Sequence, residues 1–202
     1  MPPARQPLPT AGGGPFVTRM ADLFGAPALP GLASVGDFVT TVEEQALIAA
    51  IDAADLSAFR FQGWTGKRLT ISYGWAYDFD QGRLRRGDPV PDWLLPFRDR
   101  AAQFARLPAT DFVQALLIRY DPGAGIGWHK DRPVFEHVVG VSLGAPATMR
   151  FRRRRGDRFE RVTMPLAPRG AYHLSGAARH EWEHSIAAMD RTRWSATFRS
   201  LA

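Results

Sequence analysis

From Phe112 onward the chain is written in short stretches that alternate apolar and polar residues, each closed by Gly, Pro or a polar turn. A period of two marks a strand with one face buried. The stretches are Phe112 to Tyr120, His137 to Leu143, Thr148 to Arg153, Phe159 to Met164, Ala171 to Leu174 and Thr192 to Leu201. Strands this short, separated by turns and not by helices, point to a β-sandwich or jelly roll.

The first half has a different grammar. Thr41 and Glu44 have the spacing of a capping box, and Leu47, Ile48, Ile51 and Ala54 recur at helical intervals, which predicts a helix over 42–54. Asp92 is placed to cap a second helix whose stripe is Trp93, Phe97, Ala101 and Phe104. Between them the period returns to two: Arg68, Thr70 and Ser72 alternate with Leu69, Ile71 and Tyr73, and after Gly74 come Trp75, Tyr77 and Phe79. This predicts an antiparallel pair or a bulged strand with an aromatic face. At 202 residues and 45% hydrophobic the chain can bury one sizeable core, so a single domain is expected. Within it we expect a flexible Pro/Gly-rich leader at 1–16, a helix-bearing segment at 17–110 and a strand-rich core at 111–202.

Composition narrows the chemistry. With no cysteine there is no disulfide framework, thiolate nucleophile or zinc–thiolate site, so any metal is held by His, Asp or Glu. The net charge of +6 favours a polyanionic partner, although the basic residues are nearly all Arg, with Lys only at 67 and 130. No signal peptide or membrane span is legible, and a cytoplasmic monomer is the expectation.

His129 and Asp131 follow a Pro/Gly turn and lie two residues apart, which sends both side chains to one side of a strand. Two such ligands plus a distant His make the facial triad that leaves three positions of an octahedral iron open. His184 is the best-placed third ligand; His180 is an alternative, His173 reads as core or as support for the ligands, and His137 opens a strand. In the C-terminal stretch Arg193, Ser195, Thr197 and Arg199 share one face, while Trp194, Ala196 and Phe198 share the other. Two arginines turned inward are costly without an anion, and a dicarboxylate chelating the metal at one end would supply one. The other possibility is an edge strand with its arginines in solvent.

These features occur together and in order in the AlkB family of Fe(II)- and 2-oxoglutarate-dependent dioxygenases, which the chain resembles over about 36–201. The resemblance is carried by Arg119-Tyr120 with Pro122-Gly123, the His129/Asp131 pair, Val141 to Gly144, Ser175-Gly176 with Arg179, His184 to Ile186, and Arg193 with Thr197, Phe198 and Arg199. It implies an α+β, mainly β fold: a double-stranded β-helix (jelly roll) with N-terminal helices and a nucleotide-recognition lid. It also implies Fe(II), 2-oxoglutarate and O2. The implied metal ligands are His129, Asp131 and His184; the implied 2-oxoglutarate contacts are Tyr120, Arg193, Ser195 and Arg199. Two positions depart from the family pattern, since an Asn often found two residues before the Tyr is Ile118 here, and Ser195 stands where bacterial members often have Asn.

The implied reaction couples oxidative decarboxylation of 2-oxoglutarate to hydroxylation of a C–H bond. On an N-methylated nucleobase, in DNA alkylation repair or tRNA modification, the product collapses to formaldehyde and the unmodified base. The segment from Lys67 to Phe79 resembles the family's lid, so Arg68, Tyr73, Trp75 and Tyr77 are expected to grip a flipped or single-stranded base in DNA or tRNA. Arg179 is also an expected substrate contact. Bacterial repair members commonly have an acidic residue two places after the metal Asp; here that place is Pro133, and Glu136 is the nearest carboxylate to take its role. The spelling lies closer to the branch related to tRNA wobble-uridine hydroxylases, so hydroxylation of a tRNA base without demethylation is an alternative. A nucleic-acid-binding protein with a structural metal, or a zinc hydrolase, are further ones. The arginines from Arg150 to Arg158 form a hairpin tip that either follows a phosphate backbone or is simply solvated.

Overall fold

The structure, a computed structural model, describes residues 17–18, 29–61, 64–78 and 82–202. The expected leader, Phe79 and the side chain of Tyr77 lie outside the described residues. The chain runs β1 (Val17–Thr18), β2 (Leu32–Val35), α1 (Thr41–Ala53), β3 (Ser57–Phe61), β4 (Trp64–Asp78), β5 (Arg83–Arg86), α2 (Leu95–Ala105) and β6 (Phe112–Tyr120). It continues with β7 (Ile126–His129), β8 (Phe135–Gly144), β9 (Ala147–Arg155), β10 (Arg158–Leu166), β11 (Ala171–Leu174), α3 (Gly176–His180), β12 (Glu183–Ile186) and β13 (Arg193–Leu201).

The strands form two antiparallel sheets. The larger has the order β1-β2-β11-β8-β13-β6-β4-β3, with β5 beside β4; the smaller has the order β10-β9-β12-β7. From β6 onward the chain switches repeatedly between sheets: β6, β8, β11 and β13 lie in the large one, and β7, the β9–β10 hairpin and β12 in the small one. That interleaving is the jelly roll.

Strand alternation then sorts the core into two. On one face of the large sheet Ala115, Leu117, Val139, Val141, Leu143, Ala196 and Phe198 pack with Leu47 and Ile51 of α1 and Ala101 and Ala102 of α2. On the other, Ile118, Tyr120, Val138 and Leu174 meet Met149, Phe151, Met164 and Ile186 of the small sheet. Helices α1 and α2 cover the outside of the large sheet, and the space between the sheets is left for the site. Among the described residues no helix is long and apolar enough to cross a membrane.

The helix starts differ from the sequence pattern. Thr40, not Thr41, caps α1: its hydroxyl accepts from the Glu43 N–H at 3.2 Å, and Glu43 accepts from the Thr40 N–H at 2.8 Å. Both threonines precede a Glu by three, so spacing alone is ambiguous. The register adopted lets Glu43 receive the Arg100 guanidinium of α2 at 2.6 Å, and leaves Glu44 to accept the Gly144 N–H of β8 at 2.9 Å. Asp92 does not cap α2; Asp92–Leu94 is a single 3-10 turn, and the helix starts at Leu95 with Pro in its first turn. Trp93 is accordingly 37% exposed and not part of the stripe, because the tighter turn shifts it off the buried face. Gly74 divides the long β4 with φ +75°, and a Cβ there would lie 2.0 Å from the Val113 carbonyl oxygen.

Candidate active site

The small sheet sets the first two side chains face to face. β12 pairs with β7 so that His184 stands opposite His129, and the two imidazole rings are 4.3 Å apart between centres. Asp131 follows just past the end of β7, and its Oδ2 lies 3.7 Å from His184 Nε2. The His129 Nδ1–H donates to the Gly127 carbonyl at 2.9 Å, which fixes the tautomer and leaves Nε2 with its lone pair. Among the described residues no three His, Asp or Glu side chains are already drawn into a closed metal-holding cluster. The donor set is nevertheless the one an oxygen- and nitrogen-binding metal takes: two imidazoles and a carboxylate from converging strands.

The electrostatics favour the forms that bind a cation. Burial, reinforced by His129, pushes His184 down to about 3, and burial also lowers His129; both rings are therefore neutral at neutral pH. Burial opposes ionisation of Asp131, but Arg199, His184 and His129 outweigh it and hold the carboxyl well below the usual carboxylate range. Arg199 donates to Asp131 Oδ1 through Nη2 at 2.9 Å and Nε at 3.2 Å, and through Nη1 to Gln114 Oε1 at 3.0 Å. Gln114 in turn donates to Ser72 Oγ at 3.0 Å, so a chain of bonds across three strands aims the carboxylate.

The inner face of the large sheet supplies the second half of the site. The register places Arg193 beside Tyr120 on β6, and Ser195 between Ile118 on β6 and Ser142 on β8. Arg193 is 1% exposed, its guanidinium lies 5.2 Å from the Tyr120 ring centre, and Nη2 donates to Ser142 Oγ at 2.9 Å. Its Nε and Nη1 are buried without a hydrogen-bond partner. An ionised guanidinium with two unfilled donors in an apolar chamber calls for a carboxylate. Arg193, Ser195 and Arg199 thus point between the sheets with Tyr120, and the alternative of an edge strand facing solvent is excluded by β13 lying between β8 and β6.

The expected substrate residues are spread more widely. Arg68 is half-buried on β4, its charge felt by Tyr120 and Arg199, which puts it at the wall of the same chamber. Tyr73 is set apart from it. Two-residue alternation turns it to the helix face, where it packs on the core beside Ile71. Trp75 is half-buried where β4 pairs with β5, opposite Arg86. Arg179 is 3% exposed and spends its Nη2 donors on the carbonyls of Arg132 and Phe135, so it holds the loop after Asp131. Glu136 at the start of β8 accepts from His180 Nε2 at 2.9 Å. His180 stands on α3 in that pair, while His184 and not His180 faces His129, and His137 contacts His173 at 2.9 Å across β8 and β11.

Three residues take roles that the sequence pattern does not assign. Ser142 holds Arg193, Gln114 holds Arg199, and Tyr172 lies flat over Gly140, where a Cβ would come within 2.3 Å of its ring. Burial, then the neighbouring Tyr120, pushes the Tyr172 phenol up to about 12. Gln114 was legible: it shares the alternation of Tyr120, six residues away. Tyr172 was not, since nothing local reveals that the glycine beneath it is on another strand.

Comparison with known proteins gives the same outline. The profile of the 2OG-Fe(II) oxygenase superfamily matches residues 55–200. The chain is 29% identical over 184 residues to the Alkylated DNA repair protein ALKBH8 homolog of Arabidopsis thaliana, covering 78% of this chain and 51% of that protein. It is 30% identical over 167 residues to the tRNA (carboxymethyluridine(34)-5-O)-methyltransferase alkbh8 of Xenopus tropicalis, covering 80% of this chain and 26% of that protein. The chain therefore spans about half the length of one relative and about a quarter of the other. The solved structure of OsALKBH1 superposes with a TM-score of 0.61 at 16% identity, covering 85% of this chain and 97% of that one, a likeness of fold.

Proposed function

Since this chain belongs to the 2OG-Fe(II) oxygenase superfamily, with the AlkB homologues among its relatives, we propose that it oxidatively demethylates N-alkylated nucleobases in DNA or RNA. In this reading His129, Asp131 and His184 would hold Fe(II), and Arg193 would take the far carboxylate of 2-oxoglutarate. The observation that carries it is Arg193: a buried guanidinium with Nε and Nη1 unfilled fits the far carboxylate of a small diacid. The bound metal and co-substrate would supply the oxidising power that hydroxylates a C–H bond with O2, giving succinate and CO2.

The protein's own part is positioning and exclusion of water. Arg193, steadied by Ser142 and the Tyr120 ring, fixes the far end of the diacid. Arg199 keeps Asp131 ionised and fixes its Oδ1, so that Oδ2 would be left for the metal. The apolar floor of Ile118, Val138 and Phe151 keeps bulk water from the reacting centre.

A second reading is hydroxylation of a tRNA base without loss of formaldehyde. It is supported by Glu136, whose carboxylate is engaged by His180, and by Pro133 standing where an acidic residue would meet an amino group. Mass spectrometry of methylated DNA and tRNA oligonucleotides incubated with protein, Fe(II), 2-oxoglutarate and O2 tests both. Unmodified bases with stoichiometric formaldehyde and succinate support demethylation; a product heavier by one oxygen supports the second reading; no succinate with any nucleic acid contradicts both.

A further inference from the structure

Charge is not spread evenly over this molecule. The β9–β10 hairpin, 147–166, carries seven arginines against Asp157 and Glu160, which is five of the six net positive charges of the whole chain. Strand alternation buries Met149 and Phe151 of β9 between the sheets and turns Arg150, Arg152 and Arg154 to the outside. There they stack. The Arg152 guanidinium lies 4.5 Å from the Trp128 ring centre and 4.8 Å from that of Phe159, with Arg150 5.3 Å from Trp128. Arg154 and Arg161 lie 5.9 and 5.7 Å from Phe159.

Carboxylates neutralise only part of this array. Glu183 binds Arg152, Glu160 and Glu181 bind Arg153, and Glu160 also binds Arg155. Among the described residues Arg150, Arg154, Arg158 and Arg161 have no carboxylate partner. A cleft of about 640 Å³ opens on this surface, lined by Arg152, Arg154 and Phe159 with Glu181 and Glu183, and by Lys130, the residue between His129 and Asp131 in the chain.

From this arrangement we infer that the outer face of the small sheet is a docking track for the phosphodiester backbone of a single-stranded nucleic acid whose reacting base enters at the metal end. The inference rests on the nucleic-acid reading above and adds where the strand lies. A guanidinium held against a ring has already lost rotamer freedom, so closing on a phosphate orders little more. Alternate residues of a strand are roughly 7 Å apart, close to the separation of successive phosphates in an extended single strand. Phe159 and Trp128 beside the cations offer surfaces on which bases stack, which an acidic polypeptide has no use for.

Fluorescence anisotropy of labelled oligo-U and oligo-dT of about 12 nucleotides, a length within the range such grooves take, tests this across a salt series. Two doubly substituted proteins are compared, R154Q/R161Q on the track and R106Q/R191Q off it, which lose the same charge. The track variant is expected to bind at least about tenfold more weakly at low salt, with its log–log salt slope reduced by about 1.4. The off-track variant is expected to keep the wild-type slope. Phe159→Leu is expected to weaken binding with the slope unchanged. Equal losses in both double variants, an unaffected track variant, or capture of poly-glutamate in place of either oligonucleotide would overturn the inference. Calorimetric binding of 2-oxoglutarate, expected to be equal in all these variants, shows separately whether the oxygenase reading stands.

Discussion

Arg193 is stabilised in the folded protein by one serine hydroxyl and one aromatic ring, which is little for a charge that is 1% exposed. Its replacement therefore separates stability from function. Arg193→Met is expected to unfold at higher temperature than wild type when no co-substrate is present, because a buried charge without a counter-ion gives way to an apolar chain of similar length; a gain of roughly 1–4 kcal/mol is the scale for such exchanges. The same variant is expected to need about a hundredfold more 2-oxoglutarate, the scale for truncating one side of a buried charge pair. His129→Ala and Asp131→Ala are expected to keep the fold and lose succinate formation; a variant retaining full turnover contradicts the ligand assignment. Much of this was legible in residue order: two side chains two apart after a Pro/Gly turn, and arginines on alternate positions of the last strand. What was not legible were the partners brought by other strands, Ser142 for Arg193 and Tyr172 over Gly140, because strand pairing and not local spelling decides them.

At the scale of elements, α1 is fastened by Glu43. Its bond to Arg100, acting against burial, lowers the Glu43 carboxyl to about 2 from an ordinary 4.5. A depressed folded-state value means that stability is present above pH 4.5 and is lost as pH falls towards 2. Glu43→Gln is thus expected to lower the unfolding temperature at neutral pH and to flatten its decline between these limits, as followed by thermal melts; a variant with the wild-type acid limb argues against the bond. Gly74→Ala is expected to cost at least about 2 kcal/mol in urea unfolding, since it adds an unfavourable positive φ to a Cβ placed 2.0 Å from the Val113 carbonyl oxygen. Six of the strands after Phe112 were read from alternation to within a few residues at each end; β7 and β12, four residues each, were too short to show a period. Helix starts were less legible, because Thr40 and Thr41 each precede a Glu by three and only tertiary bonds from Arg100 and Gly144 choose between them.

The whole molecule is a jelly roll whose two faces of sheet have been given different work. One side of the large sheet is sealed by helices; the inner side carries a line of polar residues from Gln114 and Arg199 to Ser142 and Arg193. The architecture followed from short alternating strands, whereas the interleaving that sets His129 opposite His184 required pairing across more than fifty residues, which periodicity does not encode. The central expectation joins the two halves: a metal at one end of the chamber and an anion at the guanidinium at the other, bound by one small molecule. Titration calorimetry of 2-oxoglutarate into wild type and Arg193→Met, with and without Mn(II), measures this most directly. Binding by the wild type that depends on the metal and disappears in the variant is the expected result; no binding by the wild type, or an unchanged isotherm for Arg193→Met, would contradict it.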